Sequence, residues 1–186
     1  MELKLFSRKQ NAEHFERLAA ECERQVYAAC YHMMGNREDA MDCAQETMLR
    51  AFRAFDSFRR DAQFSTWITR IAMNVCVDEL RKRKEALSLE KMQEETGFDI
   101  PDESPGAYAR LEEKERMRLL KEGLAALPDD ARQLIVMRDM QGMAYEEIAG
   151  VLELPLGTVK SRINRAREKL STILKKSSEL FSSRSV

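Results

Sequence analysis

The 186-residue sequence has few of the residues that build sheets, tight turns and disulfide frameworks. It contains 7 Gly and 4 Pro, whereas 44% of its residues are hydrophobic and 34% are charged. This composition favours helices packed around hydrophobic cores over sheets. No run of about 18 apolar residues occurs, so we expect no direct membrane insertion. The opening residues, MELKLFSRKQ, have no signal-peptide core, and we therefore expect a cytoplasmic protein.

The motifs that usually carry catalysis or metal binding are also missing. The four cysteines, Cys22, Cys30, Cys43 and Cys76, are widely spaced, and neither a CxxC pair nor a zinc-ligand pattern occurs. We expect reduced thiols packed as small apolar side chains, with a redox or metal role as the alternative. No GxxxxGK[ST] phosphate loop is present. We therefore predict that the chain is not an enzyme and that it binds neither a cofactor nor a metal ion.

Apolar residues at helical spacing divide the first half of the chain into three helices. The first helix has apolar residues at helical spacing from Phe15 to Met33 and ends at Gly35 and Asn36. Asn36, followed three positions later by an acid, marks the start of the second helix and is close to a capping box. The third helix starts near Ser65 and finishes in the basic run 81–84. The face of the second helix expected to point inward consists of Ala40, Cys43, Ala44, Met48, Ala51, Phe52 and Phe55.

The stretch 86–107 differs in composition from the rest of the chain. It holds six acids and one lysine, two Pro and two Gly, and it has no sustained periodicity. We interpret it as an extended acidic linker. The predicted fold is therefore all-α, with two small helical domains, 10–85 and 108–176, on either side of this linker. The polar segment 177–186 is expected to be a disordered tail.

The second domain contains the pattern of a helix-turn-helix. A short helix is predicted from Tyr145 to Leu152, a turn from Leu154 to Gly157, and a second helix for which Thr158 can supply the N-cap hydroxyl. The second helix has an apolar stripe formed by Val159, Ile163, Ala166 and Leu170. Between residues 156 and 176 the chain carries seven Lys and Arg residues against one acid.

A basic second helix in a helix-turn-helix is typical of a helix that binds DNA in the major groove. The major groove of B-DNA accepts an α-helix, and the base edges there present a readable pattern of donors and acceptors. The candidates for base edges are Lys160, Ser161, Arg162, Asn164 and Arg165, and the candidates for phosphates are Arg167 and Lys169. The alternative is an ordinary amphipathic helix with a solvated charged face.

Two blocks of the sequence resemble one family. The stretch LPDDARQLIVMRDMQGMAYEEIAGVLELPLGTVKSRINRAREKL resembles the C-terminal domain of extracytoplasmic-function sigma factors, which reads the minus 35 promoter element. The stretch GNREDAMDCAQETMLRAFRAFDSFRRDAQFSTWITRIAMNVCVDELRKRK resembles the N-terminal domain of the same family. Cys43 stands where relatives usually carry an aliphatic residue. Asn164 stands where His is frequent, so the exact minus 35 sequence stays open.

The resemblance implies three sets of site residues. The minus 35 set comprises Thr158, Lys160, Ser161, Arg162, Asn164, Arg165 and Arg167. The minus 10 set comprises Arg60, Phe64, Trp67, Arg70, Asn74, Asp78 and Arg81, although Phe64 and Trp67 are equally compatible with a core position. The set that docks on a coiled coil of the largest polymerase subunit comprises Asp39, Asp42, Gln45, Glu46 and Arg50, for which a solvated stripe is the alternative.

The implied function is that of a bacterial alternative sigma factor. Such a protein binds the RNA polymerase core through its beta and beta-prime subunits, directs it to promoter DNA and assists promoter melting. No ATPase motif is present, so base flipping at a few kcal/mol per base must be driven by binding energy shared with the polymerase. An anti-sigma factor is a further implied partner. A stand-alone helix-turn-helix regulator and a protein-binding adaptor are the alternatives.

Overall fold

The computed structural model describes the backbone of residues 2–58, 63–89 and 107–182 and the side chains of residues 11–58, 63–85 and 115–176. All regular structure in these ranges is helical, as predicted. The elements are α1 (Glu2–Met34), α2 (Arg37–Ala54), a 3-10 turn (Phe55–Ser57), α3 (Phe64–Leu89), α4 (Ala107–Ala125), α5 (Asp129–Ile135), a π-helical segment (Val136–Met140), α6 (Tyr145–Leu152) and α7 (Leu156–Ser182). Within the described ranges, no helix combines the length and apolar character needed to cross a bilayer.

Helices α1, α2 and α3 pack against one another as a bundle. Gly35, at a φ of +79°, ends α1, a backbone conformation that glycine adopts without steric cost. Asn36 then caps α2, because its side-chain oxygen accepts a hydrogen bond of 2.9 Å from the Asp39 N–H. This confirms the predicted start of the second helix. The buried face of α2 consists of Ala40, Cys43, Thr47 and Ala51, whose small side chains allow α1 and α3 to approach closely.

Helix α5 and the π-helical segment form one continuous rod that leads to the helix-turn-helix. The Gln141 N–H donates to the Val136 carbonyl at 2.9 Å, which is the i to i+5 bond of a π-helix. Gly142, at a φ of +69°, ends the rod and turns the chain toward α6. Val136 and Met137 are fully buried, so this widened turn belongs to the core.

The core runs without interruption from the N-terminal bundle into the helix-turn-helix. Met33, Ile68 and Met73 belong to the same buried cluster as Met137 and Ile148. Full burial of each such side chain contributes about 1.5–3 kcal/mol. A smaller cluster packs α4, α5 and α7 together and consists of Leu124, Leu127, Ile135 and Ala166. The two halves of the chain are therefore packed against each other.

Two details of α7 differ from the prediction. The helix begins at Leu156, so Thr158 lies inside its first turn and is not the N-cap; the Pro155 carbonyl accepts from the N–H groups of Thr158 and Val159 at 2.8 and 3.1 Å. The helix also continues to Ser182, so residues 177–182 are helical although the segment 177–186 was expected to be disordered. Residues 90–106, which hold most of the predicted linker, lie outside the described residues, as do residues 183–186.

Candidate nucleic-acid and polymerase-binding surfaces

The N-terminal half of α7 has one fully buried face and one exposed polar face. Val159 and Ile163 have no exposed surface, and Ala166 is 3% exposed. The side chains exposed on the opposite face are Lys160, Ser161, Arg162, Asn164 and Arg165. Because the buried face packs on α5 and α6, the exposed donors stand at a fixed height and register relative to the domain.

The turn before α7 is held in an unusual backbone conformation. Glu153 follows the last residue of α6 in the left-handed region, with a φ of 54° and a ψ of 41°. The Leu154 N–H donates to the Ala149 carbonyl at 3.0 Å, which satisfies an acceptor at the end of α6. A left-handed residue at a helix end is usually Gly, because a side chain costs about 1 kcal/mol or more there.

The cations of α7 fall into two groups. Arg167 is paired with Asp139 of the π-helical segment by two hydrogen bonds, one of them 3.0 Å long from Nε to Oδ2, and this carboxylate raises the pKa of Arg167. The pair ties α7 to the rod beneath it. In the described part of the chain, neither Arg162 nor Arg165 has a carboxylate within ion-pair distance. Arg162 and Arg165 therefore remain the candidates for DNA, whereas Arg167 has a role within the fold.

Two residues that sequence reasoning did not select lie beside Lys160. The Arg138 guanidinium stands 4.6 Å from the centre of the Tyr145 ring, and the Lys160 ammonium stands 5.8 Å from the same centre. Arg138 also donates to the Met143 carbonyl at 2.6 Å. The ring thus holds two cations at the entry to the helix-turn-helix. Only the folded rod brings Arg138 to this place, since 22 positions separate it from Lys160.

The aromatic residues of the predicted minus 10 set form a cluster of their own. Phe64 is 8% exposed and packs edge-on against Phe15 and Phe58 at centroid distances of 6.0 and 5.5 Å. Of the two positions left open for Phe64, the core position is therefore the one it occupies. Trp67 is half-buried and packs against Phe58 at 4.9 Å. Arg60 lies outside the described residues.

The polar members of the minus 10 set lie along one face of α3, at spacings of three and four: Arg70, Asn74, Asp78 and Arg81. Asn74 and Arg81 are exposed. Arg70 donates to the Glu153 carboxylate at 3.3 Å, across to the second domain. Asp78 accepts a hydrogen bond of 3.2 Å from Arg50 of α2. Half of this face is therefore engaged in contacts within the protein.

The five predicted polymerase-binding residues of α2 do not share one free face. Asp42 and Gln45 are exposed. Asp39 is turned toward α3 and is bonded to Arg83, which holds the pKa of the Asp39 carboxyl below its ordinary value. Glu46 and Arg50 pair with each other at 2.7 Å, and the Arg50 hydrogen bond lowers the pKa of Glu46. We assign Asp39 to the α2–α3 contact and keep Asp42 and Gln45 as the free candidates.

We expect Asp39→Asn to lower the free energy of unfolding at pH 7, because the change removes the ion pair with Arg83. The loss should be only about 1 kcal/mol, since Arg83 is partly exposed and solvent screens the pair. The native pKa of Asp39 is lowered, so its contribution is complete above the unfolded value of about 3.9 and is lost as the pH falls through the lower native value. Urea unfolding at several pH values should show less loss of stability in acid for the variant than for the wild type. Asp42→Asn, on the same helix but exposed, is the control; equal effects of the two changes would contradict the assignment.

The other side of α2 exposes three large apolar side chains, one of which, Phe52, the pattern placed inward. Phe52 was predicted to be buried but is 52% exposed, and Leu49 and Met41 are 52% and 44% exposed. These side chains line a groove of about 920 Å³ between α1 and α2, which Phe15 and Tyr27 of α1 complete. Gln45 lies on the rim of this apolar groove. An exposed apolar patch rimmed by polar groups is typical of a protein-binding surface.

Arg132 joins the two halves of the chain from inside the core. It is 7% exposed, and burial lowers the pKa of its guanidinium. Its donors reach four carbonyls: Leu124 at 2.7 Å, Ala125 at 2.8 Å, Leu127 at 3.2 Å and, across the domains, Met33 at 2.7 Å. One side chain therefore satisfies the carboxyl ends of both α4 and α1.

Three further side-chain contacts join α3 to the second domain. They are Thr66 Oγ1 to Glu147 Oε1 at 2.7 Å, Arg70 Nη2 to Glu153 Oε1 at 3.3 Å, and Lys84 Nζ to Asp129 Oδ2 at 2.5 Å. The first two lie at the N-terminal end of α3, next to the minus 10 candidates. The domains are thus arranged with the helix-turn-helix closed over part of that face.

Comparisons with known proteins agree with this two-domain architecture. The family described as Sigma-70 region 2 matches residues 18–86, and Sigma-70, region 4 matches residues 117–170. The ECF RNA polymerase sigma factor SigW of Bacillus subtilis is 35% identical over 150 residues, which are 78% of this chain and 80% of that protein. The ECF RNA polymerase sigma-E factor of Escherichia coli K12 is 37% identical over 140 residues, which are 70% of this chain and 71% of that protein.

Solved structures show the same fold. CnrH, in complex with the cytosolic domain of CnrY, is 28% identical, covers 92% of this chain and 94% of its own, and superposes with a TM-score of 0.65. The sigma factor RpoE of Bartonella quintana, in complex with the anti-sigma factor NepR, covers 88% of this chain and 98% of its own with a TM-score of 0.72 at 24% identity.

The fold and its exposed basic recognition helix define a two-domain promoter-binding protein of the sigma-70 class. The chain belongs to the extracytoplasmic-function family of RNA polymerase sigma factors. As an alternative sigma factor it directs transcription from promoters. The family resemblance seen in the sequence is confirmed.

Proposed function

We propose that three surfaces of this chain divide the work of promoter selection. The exposed face of α7 reads the minus 35 element, the polar face of α3 receives the minus 10 element, and α2 binds the RNA polymerase core through Asp42, Gln45 and the adjoining apolar groove. The chain performs no catalysis of its own, and it acts in the cytoplasm. The free energy needed to flip promoter bases out of the duplex comes from binding energy that the chain shares with the polymerase.

The observation that carries this proposal is the pairing of a buried and an exposed face on α7. Lys160, Arg162 and Arg165 are exposed cations on a helix whose opposite side, at Val159 and Ile163, is completely buried. A helix held so firmly can present its donors to base edges at one register. An ordinary amphipathic helix would also bury one face, so the distinction comes from Arg162 and Arg165, which have no carboxylate partner in the described part of the chain, whereas Arg167 has one.

The apolar groove of α2 also suits an anti-sigma factor as a binding partner. The apolar groove beside Gln45 is large and exposed, and a helix of another protein is a suitable occupant. In their structures, the Bartonella quintana sigma factor RpoE is in complex with the anti-sigma factor NepR, and CnrH is in complex with the cytosolic domain of CnrY. We propose that an anti-sigma factor and the polymerase compete for this surface of α2.

The decisive experiment is transcription in vitro with the purified chain, core polymerase and a library of promoters. We expect promoter-specific transcripts only when both proteins are present. The purified chain alone should bind promoter DNA weakly. Tight and specific binding without polymerase would instead favour a stand-alone helix-turn-helix regulator and would overturn the proposal.

The closed arrangement of the domains gives a further prediction. Thr66→Val with Glu153→Gln removes two contacts across the domains, worth together about 1–2 kcal/mol. The open fraction should therefore rise about five- to thirtyfold. Small-angle scattering should report a larger radius of gyration, and core polymerase should bind more tightly. Glu146→Gln changes an exposed acid of α6, the helix that carries Glu147 and ends just before Glu153, and is the matched control; identical scattering from all three proteins would contradict the closed form.

A further inference from the structure

Tyr145 is the first residue of α6, and its ring lies against two cations from the elements before and after that helix. The Arg138 guanidinium of the π-helical segment stands 4.6 Å from the ring centre, and the Lys160 ammonium of α7 stands 5.8 Å from it. Both distances are within the range of about 6 Å at which the face of an aromatic ring attracts a cation. One side chain thus joins three consecutive elements around the helix-turn-helix.

The ring itself is held in place. Tyr145 is half-buried and packs against the main buried cluster. The Glu147 carboxylate accepts a hydrogen bond of 2.7 Å from the Ala144 N–H, which fixes the start of α6. Arg138 is held as well, because it donates to the Met143 carbonyl at 2.6 Å. The ring and the guanidinium therefore form a firm support beside α7.

Lys160 depends on this support for its direction. It is exposed, and among the described residues no carboxylate lies within ion-pair distance of its ammonium. A lysine side chain has a flexible four-carbon stem and loses rotamer entropy when it is confined to one conformer. Contact with an aromatic ring at an exposed site favours the held conformer by about two- to fivefold. The ring therefore selects the direction in which the ammonium leaves α7.

We propose that Tyr145 is a positioning residue for promoter recognition: its ring orients Lys160 and thereby sharpens the choice of one base pair in the minus 35 element. This inference rests on the proposed role of α7 in reading that element. An ammonium in the major groove is attracted to guanine, whose O6 and N7 both accept hydrogen bonds. A lysine that is already oriented gives up less entropy on reaching the guanine than a free one does. The ring acts through Lys160 and not through a base contact of its own.

The test is transcription in vitro by core polymerase with the full-length chain, from promoters that carry every single base change in the minus 35 element. Lys160→Ala identifies the base pair that Lys160 reads, as the position at which discrimination falls. At that position Tyr145→Leu should lower the discrimination by about two- to fivefold. Tyr145→Phe keeps the ring and should match the wild type. In a chain that already carries Lys160→Ala, Tyr145→Leu should have no further effect.

A second measurement needs neither polymerase nor DNA. Protons above the face of an aromatic ring resonate upfield because of the ring current. In NMR spectra of the wild-type protein, the Hε resonances of Lys160 should therefore lie upfield of those of Lys176, an exposed lysine of the same helix. The shift should persist in Tyr145→Phe and vanish in Tyr145→Leu. Circular dichroism establishes that each variant is folded, and the comparison within the wild type tests the contact even if Tyr145→Leu is not.

The absence of the upfield shift in the wild type would overturn the proposal. If Lys160→Ala lowers the discrimination at one base pair and Tyr145→Leu does not, Tyr145 does not position that lysine, although the proposed role of α7 still holds. If Tyr145→Leu and Tyr145→Phe weaken all promoters equally and reduce the salt dependence, the hydroxyl contacts a phosphate instead. If Lys160→Ala leaves promoter choice unchanged while Arg162→Ala alters it, Lys160 reads no base. Unchanged promoter choice in all of the α7 variants would overturn the proposed function as well.

Discussion

Replacing Arg132 with Met should lower the free energy of unfolding by about 3–5 kcal/mol. The buried guanidinium donates to four carbonyls, three at the ends of α4 and α1 and one, that of Leu127, in the turn after α4. The Leu124 carbonyl also accepts from the Leu127 N–H, but each buried acceptor left without a partner costs about 1–3 kcal/mol. Met matches much of the aliphatic stem, so the loss reports the hydrogen bonds more than the packing. Urea unfolding followed by circular dichroism measures the change.

Arg132→Lys provides the sharper comparison. It keeps the charge, but a compact ammonium cannot reproduce the planar set of donors that reaches the carbonyls of both α4 and α1. We expect it to recover less than half of the loss. Arg162→Ala changes an exposed arginine of the same domain. It should leave the free energy of unfolding within about 0.5 kcal/mol of the wild-type value. A full rescue by Lys would show that the charge alone matters.

Arg162→Ala or Arg165→Ala should weaken promoter use by about 1–3 kcal/mol each, or roughly 5- to 150-fold, if each arginine makes a bidentate contact with a base. Both side chains are exposed on the face of α7 opposite Val159 and Ile163. Transcription in vitro from a set of minus 35 variants measures the effect. The loss should depend on which base pair is altered, because a base contact carries sequence information and a phosphate contact does not.

Lys176→Ala is the matched control for these two variants. This exposed cation lies on the same helix, about 16 Å beyond Arg165 at 1.5 Å per residue. It should change neither promoter preference nor promoter strength by more than about twofold. A loss for Arg162→Ala that is uniform over all promoters and appears only in the salt dependence would reassign that residue to a phosphate.

Local chemistry was enough to predict the helices and the buried face of the recognition helix. The Asn36 cap, the bounds of α6 and the stripe of Val159 and Ile163 all depend on residues within a few positions of one another. Such short-range signals survive in the folded chain because tertiary packing favours the same structure. The start of α7 was missed because the carbonyl of Pro155 serves its first turn, and Thr158 is not needed as a cap.

The partners of the charged residues could not be predicted in this way. Arg167 and Asp139 are 28 positions apart, and Arg70 and Glu153 are 83 positions apart. A sequence pattern shows that such residues are polar but not which carboxylate the fold brings to them. The prediction that Phe52 is buried was wrong for a related reason. Both flanks of α2 carry apolar side chains, and helical spacing alone does not distinguish a flank that packs in the core from one that lines an exposed groove.

Glu153 links the local shape of the chain to its large-scale arrangement. Its left-handed backbone is less favourable for any side chain than for Gly, by about 1 kcal/mol. Yet its carboxylate is what Arg70 holds across the domains. A drift to Gly at this one position would ease the turn and, at the same time, loosen the closed form. A single codon therefore sets the stability of the turn and the stability of the closed form in opposite directions.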